Sequence, residues 1–420
     1  MREVVVSGVG MVTPSGLTAQ ESFGNWLQGR SAIGPAPESV TRWLPGMLAA
    51  CVPAGFESLV DRADRGLDRS AQLGLAAAAE AMRDARLEPD SLAPERSGVY
   101  VGVGLAGAQT MEALYSTFYQ RVYDPVGSDH RNPTVMHPLT VPRLMANATA
   151  AALSMRYRLQ GPSQTCCVAC ASSAVALGEA WRAIRHGLAD TVLVVGTEAQ
   201  ITTGAYLGWN ALRVLAAPDP EDVAASCKPF DARRNGFVLG EGAAALLLET
   251  RAAAEARGAA AYGVLCGYGS SSDAGHLTAP SAEGQARAMR LALDEAGIDP
   301  AEVGYINAHG TATGLGDATE SQSIAQVFGG HAVHIPISAT KSMHGHLIGA
   351  AGAVEFGSTL MSLRTGSLPP TANLQQPDPA CPLDYIPNEA RHGCQVRYAL
   401  SNSFAFGGSN VALLVRACET

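Results

Sequence analysis

The amino-acid sequence predicts an α/β fold made of two related halves. Segments typical of strands and helices alternate along the chain, and the same order restarts near residue 258. With 420 residues, the chain is also too long for one ordinary hydrophobic core. We therefore expect an N-terminal half over residues 1–258 and a C-terminal half over residues 259–420.

The N-terminal half is predicted from apolar runs of strand length and from the helical segments between them. Strands are expected at 4–9, 99–103 and 191–195, helices at 70–86 and 172–186, and a long apolar run closes the half at 237–249. The segment 117–142 contains several prolines and few periodic apolar residues, which predicts a long loop or insertion.

The C-terminal half repeats this order. Strands are expected at 262–267, 304–308 and 335–339, helices at 282–296, 318–328 and 349–363, and two last strands around Tyr398 and at 411–415. In each half one helix is followed by an aliphatic residue, an acid and a proline, as Leu87-Glu88-Pro89 and as Ile298-Asp299-Pro300. This short internal repeat, called the internal echo below, supports a duplication.

Composition and charge exclude several classes of protein. Hydrophobic residues make up 47% of the chain and charged residues 16%, as in a globular protein with a large core. The formal net charge is -9 and no Lys/Arg run interrupts it, so nucleic acid is not an expected partner. The first residues read as a strand rather than a signal peptide, and no uncharged apolar stretch approaches membrane-spanning length. We expect a cytoplasmic protein without membrane contact.

The nine cysteines do not indicate a disulfide framework, because their number is odd and they are scattered through a core-rich chain. Most are expected to be buried thiols. A metal site at Cys166, Cys167 and Cys170 is not expected, because nearby histidines and a second cysteine pair are missing. Cys166 and Cys167 are interpreted as core residues of a strand.

Cys170 lies where a short apolar run enters the helix predicted at 172–186. A cysteine at that junction faces unpaired backbone N–H groups and the positive end of the helix dipole. Both favour the thiolate, which is the form that attacks thioesters. The alternative interpretation is an ordinary small buried thiol.

Two histidines also follow predicted strands. His309 lies in Asn-Ala-His-Gly-Thr-Ala-Thr at 307–313, and His346 ends Lys-Ser-Met-His-Gly-His at 341–346. Active sites of α/β folds lie at such strand ends, although a lone histidine there is usually structural. The segment 402–410, Asn-Ser-Phe-Ala-Phe-Gly-Gly-Ser-Asn, either presents backbone N–H groups or merely turns the chain.

Two further motifs complete the pattern: Lys-Pro-Phe-Asp-Ala-Arg-Arg-Asn-Gly-Phe-Val-Leu-Gly-Glu-Gly at 228–242 and Gly-Ala-Ala-Gly-Ala-Val-Glu at 349–355. From Val4 to Val415 the chain resembles the β-ketoacyl–acyl-carrier-protein synthases, the condensing-enzyme branch of the thiolase-like family. The resemblance implies a thiolase-like α/β fold, in which duplicated βαβαβ halves pack as a five-layer αβαβα sandwich.

The resemblance also implies decarboxylative Claisen condensation, in which an acyl group on a cysteine is joined to a malonyl group on a carrier. Backbone N–H donors would stabilise the oxyanion of acyl transfer. Two neutral imidazoles would hold the enolate through Nε2. The matching positions are Cys170 as nucleophile, His309 and His346 as the paired histidines, Lys341 and Glu320 as a charged pair supporting them, Thr311 and Thr313 as contacts of the pantetheine arm, Phe406 with Ala405 as the gate, and the N–H groups of Cys170 and Phe406 as the oxyanion hole.

No bound cofactor or metal is implied, because the substrates arrive on the phosphopantetheine of an acyl carrier protein. The implied assembly is a homodimer, or a heterodimer with a chain-length-factor-like subunit. A net-negative enzyme needs a local basic patch to receive an acidic carrier. The candidates are Arg62, Arg65, Arg69 and Arg213, each of which could also be an ordinary solvated charge.

Four positions depart from the pattern usual in the fatty-acid enzymes. They are Gly314 for proline, His344 for a small or aliphatic residue, Trp209 for phenylalanine near the acyl channel, and Ala405 for glycine before the gate. They favour a type II polyketide, polyene or related secondary-metabolite enzyme over the housekeeping fatty-acid elongation synthase. Ala405 either stiffens the gate or only fills space.

Two other functions compete with condensation. A thiolase would need a second reactive cysteine in the C-terminal half, where Cys381 and Cys394 lie in segments unlike that motif. A non-catalytic partner subunit that sets chain length usually lacks the nucleophile, so Cys170 argues against it.

Overall fold

The computed structural model describes residues 1–123 and 136–418. Strands and helices alternate through the N-terminal half, as the apolar runs predict. Its elements are β1 (Val4–Val12), α1 (Ala19–Leu27), β2 (Gly34–Pro35), α2 (Glu38–Thr41), β3 (Leu48–Ala50), α3 (Arg69–Asp84), β4 (Ser97–Gly102), α4 (Ala108–Tyr123), α5 (Thr140–Leu144), α6 (Ala148–Tyr157), β5 (Ser163–Cys166), α7 (Ser172–Arg185), β6 (Thr191–Glu198), α8 (Thr203–Ala211), β7 (Leu239–Gly240), β8 (Gly242–Thr250) and α9 (Arg251–Ala256).

The C-terminal half contains fewer elements and confirms each helix and strand predicted for it. They are β9 (Gly263–Ser272), α10 (Ala282–Ala296), β10 (Val303–Asn307), α11 (Gly314–Phe328), β11 (Ile337–Ser338), α12 (Lys341–His344), α13 (Ala351–Thr365), β12 (Tyr398–Ala405) and β13 (Ser409–Arg416).

The main sheet shows the duplication directly. Its strand order is β11-β10-β12-β13-β9-β1-β8-β6-β4-β5. Counted outward from the centre of the sheet, the N-terminal half has the order β1, β8, β6, β4, β5. The C-terminal half has the order β9, β13, β12, β10, β11. Equivalent strands of the two halves therefore take equivalent places. In each half the first two pairings are antiparallel and the outer two are parallel. The halves join where β1 pairs with β9 over residues 4–6.

Helices cover the sheet in three layers. Helices α7 and α13 share one core cluster with β1, β8, β9 and β13, so they lie between the two halves of the sheet. Helices α3 and α6 pack on the outer face of the N-terminal half, and α10 and α11 on the outer face of the C-terminal half. The predicted five-layer arrangement is therefore confirmed.

The internal echo lies at equivalent places in the two halves. Each proline begins a 3-10 turn, Pro89–Ser91 or Pro300–Glu302, that joins an outer helix to the next parallel strand. The predicted division near residue 258 lies between α9 and β9. We propose this connection as the boundary between the two halves.

The predicted loop at 117–142 differs from the structure at both ends. Helix α4 continues to Tyr123, and α5 begins at Thr140, while residues 124–135 lie outside the described residues. Helix α4 has apolar residues at helical spacing, such as Met111, Tyr115 and Tyr119, which the prediction missed, although none of its residues is fully buried. Helices α1, α6 and α8 were also not predicted, and the apolar run at 237–249 is divided between β7 and β8.

The expectation that most cysteines are buried is wrong. Cys170, Cys227 and Cys381 are buried, whereas Cys167 is exposed and the others are partly exposed. Cys166 ends β5, which is the last strand of the sheet, and an edge strand leaves its side chains less covered. None of the helices in the described ranges combines the length and apolar character that crossing a membrane requires.

Candidate active site

Cys170 lies in the tight turn between the edge strand β5 and helix α7. Ala169 has a positive φ of 44°, which is unusual for a residue other than glycine. Ser172 closes the turn, because its Oγ accepts from the Val168 N–H at 2.8 Å and donates to the Ala169 carbonyl at 2.7 Å. These contacts hold the buried Cys170 thiol at the N-terminal end of α7.

His309 follows β10, and its backbone is held by a buried carboxylate. Glu320 accepts from the N–H groups of His309 and Gly310, both at 2.8 Å. The ring Nδ1 lies 3.3 Å from Lys341 Nζ. Because an ammonium group can only donate, Nδ1 accepts and Nε2 carries the ring proton.

His346 is fixed by the small sheet that contains β7. Its N–H donates to the Val238 carbonyl at 2.7 Å, and its own carbonyl accepts from the Gly240 N–H at 2.9 Å. The ring Nδ1 accepts from the Ile348 N–H at 3.2 Å, which again leaves the proton on Nε2. That Nε2 lies 3.0 Å from Cys170 Sγ.

The ion pair beside the histidines is formed by other residues than predicted. Lys341 pairs with Glu355 of α13 rather than with Glu320, and both side chains are fully buried. Lys341 Nζ also donates to the His309 carbonyl at 2.5 Å. Burial raises the pKa of the Glu355 carboxyl to about 7, against the opposing charge of Lys341. Glu355 was missed as a site residue, although the motif at 349–355 contains it.

Both imidazoles are neutral. Burial lowers the pKa of His309 and of His346 well below 6.5, and the Lys341 charge lowers both further. The ring centroids are 5.4 Å apart with an interplanar angle of 83°. The pair therefore presents two uncharged rings, each with its proton on Nε2, beside the cysteine.

The expected preference of Cys170 for the thiolate is outweighed by burial. Burial raises the pKa of this thiol to about 12, although the charge of Lys341 and the N–H of Phe406 both lower it. Burial therefore favours the thiol over the thiolate in the resting site. The helix dipole favours the anion, but it does not replace the lost hydration.

The same three side chains have the spacing of a metal site, since their ligating atoms lie within 4.8 Å of one another. A metal at either imidazole Nε2 would have to displace the proton held there. That proton cannot move to Nδ1, because Nδ1 of His309 faces Lys341 and Nδ1 of His346 faces the Ile348 N–H. The donors suit an anion, not a cation.

A cavity of about 290 Å³ connects this cluster with the surface. Its walls are largely apolar, and the apolar side chains include Leu212, Val214, Phe237, Leu277 and Leu315. Thr311 and Thr313 also line it, with their hydroxyl oxygens 3.1 Å apart. A narrow apolar passage with a few hydroxyl groups suits an extended arm that ends in a thioester.

The predicted gate lies against the cysteine. The Phe406 N–H lies close to Cys170 Sγ, where it lowers the pKa of the thiol. Ala405 is the last residue of β12, and the positive φ values of the following turn belong to Gly407 and Gly408, at 86° and 76°. In this conformation, alanine at position 405 is therefore not strained.

Trp209 and His344, two of the other positions that differ from the pattern of the fatty-acid enzymes, lie close to the site. Trp209 packs 6.0 Å from the Phe406 ring and 5.6 Å from the Phe237 ring, and its indole N–H donates to Gln200 at 3.0 Å. His344 is buried against Trp26, and burial lowers its pKa to about 3. Gly314 is the first residue of α11, where a side chain would meet no neighbour.

The four candidate docking arginines do not form one group. Arg62, Arg65 and Arg213 are exposed, and Arg213 lies between Leu212 and Val214 of the cavity wall. Arg69 instead makes two hydrogen bonds of 2.7 Å to the buried Glu241. An arginine already paired in this way has little free charge to offer a carrier, so we remove Arg69 from the predicted set.

The remaining cysteines do not join the site. Among the described residues that line the cavity, Cys170 is the one cysteine. Cys381 is buried in the outer core of the C-terminal half, and Cys394 lies near the α13 terminus, where its N–H donates to Gly366. A second reactive thiol, which a thiolase would need, is not brought to this cavity.

The fold and this cluster define an acyltransferase of the thiolase-like class. The chain matches the family model for the N-terminal domain of β-ketoacyl synthases over residues 1–254 and the model for their C-terminal domain over residues 262–375. The chain belongs to the β-ketoacyl synthase family.

Its relatives come from two kinds of pathway. The chain is 37% identical to 3-oxoacyl-[acyl-carrier-protein] synthase 2 of Staphylococcus aureus (strain COL), over 100% of this chain and 99% of that protein. Among solved structures, it resembles a ketosynthase captured with a type II PKS acyl-carrier protein and bound to the hexaketide (TM-score 0.89, 32% identity, 100% of both chains). It also resembles the ishigamide ketosynthase/chain length factor (TM-score 0.88, 32% identity, 100% of both chains).

Proposed function

We propose that this enzyme transfers an acyl group from a carrier to Cys170 and condenses it with a decarboxylating malonyl-carrier, giving a β-ketoacyl-carrier. The observation that carries the proposal is the buried contact of 3.0 Å between Cys170 Sγ and His346 Nε2, with neutral His309 alongside. One thiol and two N–H donors in one apolar cavity match the needs of both half-reactions.

In the first half-reaction, Cys170 Sγ attacks the acyl thioester carbon and the bond from that carbon to the pantetheine sulfur breaks. The thiol proton passes to the departing sulfur, so no charge has to persist in a site that burial keeps neutral. The N–H groups of Cys170 and Phe406 would stabilise the tetrahedral oxyanion. Holo-carrier leaves through the cavity lined by Thr311 and Thr313.

In the second half-reaction, the malonyl-carrier loses CO2 and its electron pair becomes an enolate. The thioester oxygen would accept from Nε2 of His309 and of His346, whose protons are held in place from the Nδ1 side. The enolate carbon attacks the acyl carbon on Cys170 and expels the thiolate, which takes up one proton. Glu355 offsets the charge of Lys341 behind His309.

Intact-mass analysis tests this proposal. The protein should gain the mass of one acyl group from acyl-carrier, and that mass should disappear on addition of malonyl-carrier as CO2 and β-ketoacyl-carrier form. An adduct that persists with malonyl-carrier present would contradict condensation, and no adduct from any carrier-bound acyl chain would contradict the covalent step.

We propose further that the enzyme serves a type II polyketide, polyene or related secondary-metabolite pathway. The support is the packing beside the gate, where Trp209, itself not part of the cavity wall, is held by Gln200 and packs on Phe406. A fixed indole leaves less room for an acyl chain than phenylalanine would. The alternative, a housekeeping elongation synthase, rests on the similarity to the fatty-acid enzyme.

Trp209→Phe should therefore broaden chain preference toward longer acyl groups. Room for two further methylenes is worth roughly 1.6 kcal/mol, or about tenfold in kcat/KM for the longer chain. The measurement is the ratio of the kcat/KM values for loading Cys170 from two acyl-carriers whose acyl chains differ by two carbons. Trp43→Phe is the matched control, because Trp43 is 66% exposed and should leave the ratio unchanged. An unaltered ratio in Trp209→Phe would show that this ring does not limit the chain.

The carrier is expected to dock through the exposed arginines Arg62, Arg65 and Arg213. Reversing all three charges to glutamate should raise the apparent KM for malonyl-carrier by about tenfold and make it less sensitive to salt. Charge reversal at the exposed Arg83, Arg158 and Arg397, which changes the net charge by the same amount, is the control. Equal effects in the two sets would place docking elsewhere.

We infer that the chain assembles with a second subunit of the same fold, either another copy or a chain-length-factor-like partner. Strand β5 leaves one sheet edge unpaired within the described chain. Helix α4 presents Tyr115, Tyr119 and Tyr123 on one face, with ring centroids 6.3 and 6.0 Å apart. An open edge and an aromatic stripe are both usually covered in a stable protein.

A further inference from the structure

We propose that Glu198 is a positioning residue that keeps the proton of His346 on Nε2, directed at Cys170. The inference rests on the proposed function, because it assigns a purpose to that proton. Glu198 touches neither reacting atom. It acts through the backbone of residues 348 and 349, as the following contacts indicate.

The Glu198 carboxylate joins loops from the two halves of the molecule. It is fully buried at the end of β6. Its Oε2 accepts from the Gly104 N–H at 2.8 Å and from the Gly349 N–H at 2.9 Å, and its Oε1 accepts from the Leu105 N–H at 3.1 Å. Three backbone donors converge on one side chain, and an anion is the acceptor that suits them.

The two loops meet so closely that no side chain fits between them. A Cβ on Gly349 would lie 2.2 Å from the Gly104 nitrogen and 2.7 Å from Glu198 Oε2. Without the shared carboxylate, two backbone N–H groups would face each other with no acceptor. The carboxylate therefore determines where Gly349 lies.

The position of Gly349 determines the conformation of Ile348. Ile348 has a positive φ of 41°, which a β-branched residue adopts only under constraint. In that conformation its N–H donates to Nδ1 of His346 at 3.2 Å. If Ile348 relaxed to a negative φ by rotation of the peptide plane between residues 347 and 348, this donor would turn away and His346 would be free to carry its proton on Nδ1. Nε2 would then lose the hydrogen that points toward Cys170 Sγ.

The chain also contains a matched control carboxylate. Glu80 accepts from the backbone N–H groups of Met11 and Ala19 at 2.7 and 2.9 Å. Burial raises the pKa of both Glu80 and Glu198 to about 7, although Glu80 is the less buried of the two. Glu80 lies outside the cavity that contains Cys170. Replacement by glutamine imposes the same change, an amide NH2 in place of an acceptor, at both positions.

The first experiment compares Glu198→Gln with Glu80→Gln in malonyl-carrier decarboxylation. Both should lower the melting temperature by similar amounts. Glu198→Gln alone should lower kcat by about tenfold or more, with KM for the carrier within twofold of wild type. Equal kcat values for the two variants would overturn the proposal. If Glu198→Gln does not fold, Glu198→Asp replaces it, because it keeps the charge but is too short to reach both loops.

The second experiment tests whether Glu198 acts through His346. The rate at which iodoacetamide alkylates Cys170, read by peptide mass spectrometry, should change in Glu198→Gln and not change further when His346→Ala is already present. An equal effect of Glu198→Gln in both backgrounds would show that it acts by another route. Alkylation requires no condensation, so this result stands even if wild type fails to decarboxylate malonyl-carrier and the proposed function is wrong.

Discussion

Replacing Cys170 with alanine should remove both the covalent acyl adduct and condensation, by a factor on the order of 10⁴ or more. The physical reason is that the thiol is the one nucleophile the described structure brings to the histidine pair. Alanine fits at this buried position with a small change in volume, so the fold should be kept. The measurements are intact mass after exposure to acyl-carrier and turnover with malonyl-carrier.

The neighbouring cysteines provide the controls for this result. Cys166→Ala and Cys167→Ala, made separately, should each keep acyl loading and condensation within a few-fold of wild type. Cys167 is exposed, is not among the residues that line the cavity, and donates to the Gly104 carbonyl at 3.3 Å. Chain elongation by Cys170→Ala, or loss of loading in Cys167→Ala, would contradict the assigned nucleophile.

Removing the imidazoles should separate the two half-reactions. His309→Ala and His346→Ala should each lower malonyl decarboxylation by about 10² to 10³-fold, which is typical for the loss of one preorganised oxyanion donor. Transfer of the acyl group to Cys170 should fall much less, because it relies on the thiol and on backbone N–H groups. Release of CO2 and acyl loading, measured separately, test this; wild-type CO2 release in the double variant would contradict it.

The pH dependence of decarboxylation gives an independent check. The pKa of both histidines lies well below 6.5, so both rings stay neutral as the pH falls through that value. Only neutral rings with the proton on Nε2 and an acceptor role on Nδ1 fit beside Lys341 and the Ile348 N–H. The histidines should therefore cause no fall in the rate between about pH 7.5 and pH 6, and a fall near pH 7 would come from the buried carboxyls Glu198 and Glu355, whose pKa burial raises to about 7. NMR signals of the two imidazole rings that titrate near pH 6.5 would indicate ordinary, solvated histidines.

Much of this site could be predicted from local sequence. Cys170 precedes a helix, and His309 follows a strand, so the periodic pattern of apolar residues located both at element ends. Repetition of that pattern predicted the duplication, because each half must bury a sheet of the same design. Helix α4 was missed although Met111, Tyr115 and Tyr119 lie at helical spacing, because the prolines that follow it favour a loop.

The tertiary structure decided which charges meet and which protons are held. Lys341 pairs with Glu355 rather than Glu320, and Arg69 pairs with Glu241, which is 172 residues away. Burial raises the pKa of the Cys170 thiol, against the charge of Lys341 and the N–H of Phe406. These outcomes depend on distances between segments remote in the chain and on the loss of water around them. The sequence by itself determined much of the element order, because that follows from local periodicity, and its motifs indicated the candidate reacting residues through the resemblance to the β-ketoacyl–acyl-carrier-protein synthases. Only packing could determine their partners, because electrostatic energy depends on separation in space and on dielectric surroundings.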